Sequence, residues 1–402
     1  MLPTPALFST PAFGEEAGNL VIDWRTRGFL LPEPTTRAAF LAARPSLFGG
    51  AFTWPVMTLR ASALERNITT LAEFAAANGL TFAPHAKTSM SPELIHAQLR
   101  AGAWGATAAT AAQVLALRHF GVPRVLLAGE CYDVGALRWL AGELAAGFEC
   151  LIFADSEEGV SALSAAAKGV PFRVLVELGH PGGRTGCRTL QQLREVAEAV
   201  VATPGVELAG VAGYEGTQQG PDAVRTYLRE LSRAADLVTP LTDGEPIVSA
   251  GGSSYFDLVA EELQDRHVIL RSGAYLGHDE GFYARSSPLA DVLQPAIEVW
   301  AQVISTPEPG LALVAMGKRD VPYDLDLPMA RHLRRDGEIT QTRGLIVKKI
   351  QDQHAYLDAD GLRPGDLVGF GISHPCTAFD KWRVLPVVDD DHLVVDLITT
   401  YF

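Results

Sequence analysis

The chain has 402 residues, 48% hydrophobic and 20% charged, with a formal net charge of -14 at pH 7, enough apolar material to build more than one domain core. The excess of acid over base argues against a nucleic-acid partner, since neutralising phosphates takes clustered Lys and Arg. No run approaches the ~20 apolar residues of a membrane span, and Met1-Leu2-Pro3-Thr4-Pro5 lacks the basic start and apolar core of a signal peptide. A cytoplasmic protein with no membrane partner is therefore expected.

Residues 1–52 are irregular and rich in proline and aromatics, with one helix predicted over 36–43. A strand over 53–60 and an amphipathic helix over 61–78, ended by Gly79, come next. From there, apolar strand-like runs begin near Thr81, Trp104, Arg124, Phe148, Phe172, Glu207, Pro246 and His267, with helical patterns between them such as 92–100, 111–120 and 190–201. Eight such units fit a (β/α)8 barrel, whose parallel strands are buried on both sides and read as continuous apolar runs. The alternative is an open doubly wound sheet, but no strong G-x-G-x-x-G fingerprint opens a first helix.

Past about residue 288 the texture turns β-rich, over 296–304, 311–315, 344–350, 353–357, 367–372, 382–388 and 392–398. The predicted organisation is an N-terminal segment (1–52) packing on the β domain, an α/β barrel (53–287) and a C-terminal β domain (288–402). Cys131, Cys150, Cys187 and Cys376 are far apart and few for the length, which fits free thiols or metal ligands better than a disulfide scaffold.

Function in a barrel sits at the carboxyl ends of the strands. Phe82-Ala83-Pro84-His85-Ala86-Lys87-Thr88 ends the first run with an amine that can form a Schiff base with pyridoxal phosphate (PLP); a lone lysine after a strand is otherwise a solvated surface residue. Glu177 to Gly186 is a glycine-rich loop that brings Arg184 to the barrel mouth. Ser249-Ala250-Gly251-Gly252-Ser253-Ser254 follows the seventh run, where two glycines let backbone N–H groups approach an anion; as a bare pattern it is also a simple turn. Arg271-Ser272-Gly273-Ala274-Tyr275 closes the eighth run with a guanidinium and a phenol.

In the β domain, Ser373-His374-Pro375-Cys376 reads as an extended segment, which projects His374 and Cys376 to one side. An imidazole and a thiolate on one face suit zinc; a capping histidine beside a buried thiol fits the spacing equally. His354 is a further candidate ligand.

Taken in order, Pro84-His85-Ala86-Lys87-Thr88, Gly182-Gly183-Arg184-Thr185-Gly186, Gly251-Gly252-Ser253-Ser254, Arg271 to Tyr275 and His374-Pro375-Cys376 resemble the D-serine dehydratase and D-threonine aldolase family over roughly residues 53–398. The resemblance implies an alanine-racemase-like PLP barrel joined to a metal-binding β domain. Lys87 is then the Schiff-base lysine and the α-proton base. His85, Arg184, Tyr214 and Arg271 lie about the cofactor, Gly251, Gly252 and Ser253 cradle its phosphate, and Tyr275 helps hold it. His374 and Cys376 match the metal pair of the dehydratase branch, with zinc the first choice and manganese the second; the aldolase branch carries Asp where Cys376 stands.

The activity so implied is dehydration and deamination of a β-hydroxy D-amino acid, D-serine-like, to a 2-oxo acid and ammonia, in a homodimer. Retro-aldol cleavage, racemisation and a non-catalytic PLP carrier are the alternatives.

Overall fold

The computed structural model describes residues 20–342 and 344–402, which divide into two compact units. One takes Leu71–Lys87 and Gln98–Gly273; the other takes the described residues up to Thr70, with Thr88–Ala97 and Ala274–Phe402.

In the first unit eight strands pair in parallel: Thr81–Phe82, Ala106–Ala108, Arg124–Leu127, Glu149–Ala154, Phe172–Leu178, Val206–Gly213, Ile247–Ala250 and His267–Leu270. They are the eight runs the sequence predicts. The first strand pairs with the eighth. Its continuation reaches the second, where the Trp104 N–H donates to Phe82 O (2.8 Å), the Thr107 N–H donates to Pro84 O (2.9 Å), and a parallel bridge joins His85 to Thr107. These bonds close the sheet into a ring.

The ring is filled by Ala83, just past the first strand, and by Leu126, Leu151, Phe153, Leu175, Ala209, Ala212, Ile247 and Ile269 from six others, one buried cluster, so the barrel interior is a packed core. Gly210 is required where the fifth and sixth strands slip register at Val174/Leu175, because a Cβ there would lie 2.0 Å from the Ile247 carbonyl oxygen. Helices start by one recurring device. Thr110, Asp133, Ser156 and Thr189 each accept the N–H three residues on, at Gln113, Ala136, Gly159 and Gln192, which satisfies a donor the helix leaves open.

The second unit is built on an antiparallel sheet whose central strand, Ile297–Glu308, pairs with Leu367–Gly371, Leu311–Val314 and Val56–Arg60. Ile22, Phe29, Phe40, Leu47 and Phe52 share one core with Trp300, Leu367, Val384, Val388 and Leu397, and the helix predicted at 36–43 is Arg37–Ala42, capped by Thr36. Residues 1–19, part of the predicted N-terminal segment, lie outside the described residues.

Two expectations change here. Val56–Arg60, placed at the start of the barrel segment, instead pairs with Ile297–Glu308 and Val384–Val388, and residues from Ala274 group with the β unit. A short apolar strand does not declare which sheet it joins. The hairpin Met329–Arg335 with Glu338–Gln341 was absent from the sequence reading because it carries almost no apolar alternation; the second strand is exposed at every residue. Among the described residues no helix is long and apolar enough to cross a membrane.

Candidate active site

Within the barrel unit, Lys87 follows the extended residues Ala83-Pro84-His85 in a one-turn 3-10 helix, Ala86–Thr88, and is half-buried. His85 Nδ1 lies 3.1 Å from Thr107 O. A carbonyl only accepts, so Nδ1 carries the proton and Nε2 is the lone-pair nitrogen of the neutral ring. Burial, and then the positive charges of Lys87, Arg271 and Arg184, hold the His85 pKa well below 6.5. His85 is therefore uncharged at neutral pH, amid three cations.

Arg271 is buried and fixed. Its Nη1 donates to Ser249 Oγ (2.8 Å), its Nη2 donates to Gly213 O (2.7 Å), and the guanidinium lies 5.4 Å from the Phe153 ring centre. Burial lowers its pKa, while Glu215, Glu177 and Tyr227 oppose that shift; a guanidinium stays charged in such a setting. Arg184 is exposed and lies over the Tyr214 ring, 4.6 Å from its centre. Arg184 and Tyr214 line a cavity with Glu177, His180, Thr217 and Tyr227. The loop carrying Arg184 is shaped by a residue the sequence reading passed over: Arg188 donates to the carbonyls of Gly183, Arg184, Thr185 and Gly186 at 2.6–3.1 Å.

Gly251, at φ 107°, must be glycine twice over, because a Cβ would lie 2.2 Å from Leu270 Cδ1. The N–H groups of Gly251 and Gly252, assigned to a phosphate by sequence, donate to the Glu215 carboxylate at 3.1 and 2.5 Å. Glu215 is fully buried.

Three carboxylates end consecutive strands, Glu130, Asp155 and Glu177. Burial first, then Glu177 and Asp155, push the Glu130 carboxyl up to about 8. Glu130 Oε1 and Glu177 Oε2 are buried without a partner, which a proton held on Glu130 toward Glu177 would satisfy. The fold thus keeps a proton that the unfolded chain releases above 4.5, and stability on this account falls as pH rises from 4.5 to about 8. Glu130→Gln removes the titration. Its stability relative to wild type should rise across that window by up to about 5 kcal/mol, read from denaturant melts; a pH-independent difference would contradict the assignment.

In the β unit, the reason for the His374–Cys376 pairing differs from the expected one. The segment is not extended: His374 is left-handed (φ 63°, ψ 78°) and Pro375–Thr377 is a 3-10 turn. A non-glycine residue in that region is strained and must be held. The His374 N–H donates to Asp279 Oδ2 (2.8 Å), while Asp279 Oδ1 accepts the N–H groups of Gly281, Tyr283 and Ala284 at 2.8–3.1 Å. The ring is held too, with His374 Nδ1 2.5 Å from Asp324 Oδ2 and Thr377 Oγ1 donating to Asp324 Oδ1 (3.1 Å). Cys376 beside the ring, with Asp324, holds the His374 pKa up at about 9 against burial. Cys376 Sγ is 3.8 Å from Thr88 Oγ1.

This donor set fits a divalent metal. Asp324 keeps a proton on Nδ1, so a metal would displace the second proton, the one on Nε2, and be held by Nε2 as a borderline donor and the Cys376 sulfur as a soft one. His354 does not join them: it is exposed beside the strand Ala355–Asp358, and among the described residues no group of three His, Cys, Asp or Glu gathers. Asp324 and Asp279 had no signal in the sequence. Tyr275, expected near a phosphate, is buried in the turn Ala274–Leu276 of this unit. All four cysteines are free.

A closed parallel barrel with a half-buried lysine after its first strand, continued in the same chain by an antiparallel β unit, defines the alanine-racemase class of fold. The chain belongs to the family described as "Alanine racemase, N-terminal domain", which matches residues 59–276, and residues 296–388 match the "Putative serine dehydratase domain". Among characterised relatives, the 3-hydroxy-D-aspartate aldolase of Paracoccus denitrificans (strain Pd 1222) is 26% identical over 301 residues, 72% of this chain and 78% of that protein. The D-threonine aldolase of Arthrobacter sp. is 24% identical over 351 residues, 85% of this chain and 87% of the relative. The crystal structure of D-threonine aldolase from Filomicrobium marinum is similar with a TM-score of 0.74 at 25% identity, covering 87% of this chain and 95% of that one. D-threo-3-hydroxyaspartate dehydratase from Delftia sp. HT23 shares the fold, with a TM-score of 0.71 at 21% identity over 87% and 97% of the two chains.

Proposed function

We propose that this chain is a PLP- and metal-dependent lyase that dehydrates a β-hydroxy D-amino acid, giving a 2-oxo acid and ammonia. The observation that carries this reading is the nitrogen and sulfur donor pair, His374 and Cys376, built into the same chain as the barrel lysine.

The barrel residues fit PLP: Lys87 offers the amine, Lys87, Arg184 and Arg271 make the surroundings of His85 cationic, and Gly251 gives a close-packed turn after the seventh strand. Lys87 would hold the cofactor, with His85, Arg184, Tyr214 and Arg271 about it, and Gly251, Gly252, Ser253 and Tyr275 assigned to its phosphate. The Gly251 and Gly252 N–H groups already donate to Glu215, so the two glycines shape the loop rather than bond the anion directly. When bound, PLP acts as an electron sink for a substrate carbon that loses its proton. Lys87, once its amine is free, is the base positioned for that α-proton. Arg271, pinned by Ser249 and Gly213, supplies a positive charge that does not move. Neutral His85, its Nδ1 proton committed to Thr107 O, presents Nε2 as an acceptor. In the β unit His374 and Cys376 would hold the metal, zinc first and manganese second, which supplies a Lewis acid for a departing hydroxyl.

A second reading, retro-aldol cleavage, is favoured by the aldolase names of the relatives in sequence; the sulfur donor speaks for dehydration. Chelation of the metal should abolish ammonia release from β-hydroxy D-amino acids, and zinc or manganese should restore it. Elimination that continues undiminished in chelator would overturn the metal's role.

The same geometry predicts that Asp324→Asn weakens metal binding about 10–100-fold, measured as metal retained on equilibrium dialysis. Wild-type affinity in that variant would show that Asp324 does not orient His374.

A further inference from the structure

Two consecutive backbone N–H groups that converge on one acceptor form an anion-binding concavity. After the seventh strand that concavity is already occupied by the chain itself: Gly251 N–H donates to Glu215 Oε2 (3.1 Å) and Gly252 N–H to Glu215 Oε1 (2.5 Å). The carbonyl side of the same turn is held as well, since Ser272 Oγ donates to Gly252 O at 2.9 Å. Glu215 stands in the 3-10 turn Glu215–Thr217 after the sixth strand and Ser272 just after the eighth. Residues from both neighbouring strands therefore grip the turn between them.

The grip is rigid and dry. Glu215 is 0% exposed and Ser272 1% exposed, and a Cβ on Gly252 would sit 3.1 Å from the Tyr214 ring and 3.2 Å from Glu215 Oε1. Glu215 has a compensating charge in Arg271, whose own pKa it props up. A carboxylate that merely kept the place of an incoming anion would have to swing into solvent when the anion arrived. Nothing about a fully buried side chain in two charge-assisted bonds prepares that exit.

We infer that Glu215 is a positioning residue: with Ser272 it pre-forms the Gly251–Gly252 turn, so that the residues following the turn meet a phosphate without first being ordered. This rests on the proposal that the barrel holds PLP, and it deepens that proposal by separating the groups that shape the phosphate loop from those that touch the phosphate. Preorganisation of this kind raises affinity by removing the ordering cost of the loop.

The test compares PLP with pyridoxal, which lacks the phosphate, by titrating each into the metal-loaded apoprotein and reading absorbance. In Glu215→Gln one charge-assisted acceptor is lost, and PLP should bind about tenfold or more weakly while pyridoxal stays within about twofold of wild type. Ser272→Ala, which loosens only the carbonyl side, should show the same selective loss at smaller size, and it serves if Glu215→Gln does not fold. Equal losses for PLP and pyridoxal would mean a general structural role and would overturn the inference. Unchanged or tighter PLP binding would overturn it also, tighter binding pointing to Glu215 as a competitor of the phosphate. Wild-type protein that binds neither compound would instead overturn the proposed function, a result separate from these.

Discussion

Lys87→Ala is expected to remove the visible absorbance of lysine-bound cofactor and to lower turnover of β-hydroxy D-amino acids by at least about 10³-fold. Two losses combine in this one residue. The amine that would anchor PLP is gone, and so is the group placed to take the α-proton. Supplying excess PLP should not restore turnover, because proximity of the base is lost along with the anchor. Lys87 is half-buried and belongs to neither apolar core cluster, so the variant should melt close to the wild-type apoprotein. A Lys87→Ala variant that turns over like wild type would remove the foundation of the proposal.

The second large effect is expected at the metal pair. Cys376→Ala deletes one of the two donors proposed for the metal, and ammonia release should fall roughly 10²–10⁴-fold, the several kcal/mol that a Lewis acid contributes to a poor leaving group. Metal content should fall in parallel, while absorbance of the lysine-bound cofactor should persist, because the barrel residues are untouched. That dissociation is the informative part. If Cys376→Ala lost cofactor and metal together, the effect would be one on folding; if it lost neither metal nor activity, the donor assignment would be wrong.

Much of the architecture was legible in the sequence because parallel strands buried on both faces leave continuous apolar runs, and all eight runs became barrel strands. The strand ends followed, and with them Lys87, the glycine turn after the seventh strand and Arg271 after the eighth. What escaped were residues of ordinary type whose roles depend on distant partners. Asp324 lies 50 positions from His374 and Asp279 95 positions from it, and no local pattern marks either. Glu215 likewise carries no local signal, since its bonds to Gly251 and Gly252 span 36 and 37 positions. The edge hairpin at 329–341 was hidden for a different reason, since an exposed, charged strand carries no periodic apolar signal. His374 and Cys376 were paired in the sequence on an assumed extended backbone; in the structure a left-handed residue followed by a 3-10 turn joins them instead.

Product identity tests the central claim most directly. Purified protein with PLP and zinc or manganese, given D-serine and related β-hydroxy D-amino acids, should release ammonia and the matching 2-oxo acid in equal amounts, pyruvate in the case of D-serine, with no glycine formed. Glycine together with an aldehyde, or loss of optical rotation without ammonia, would contradict the account.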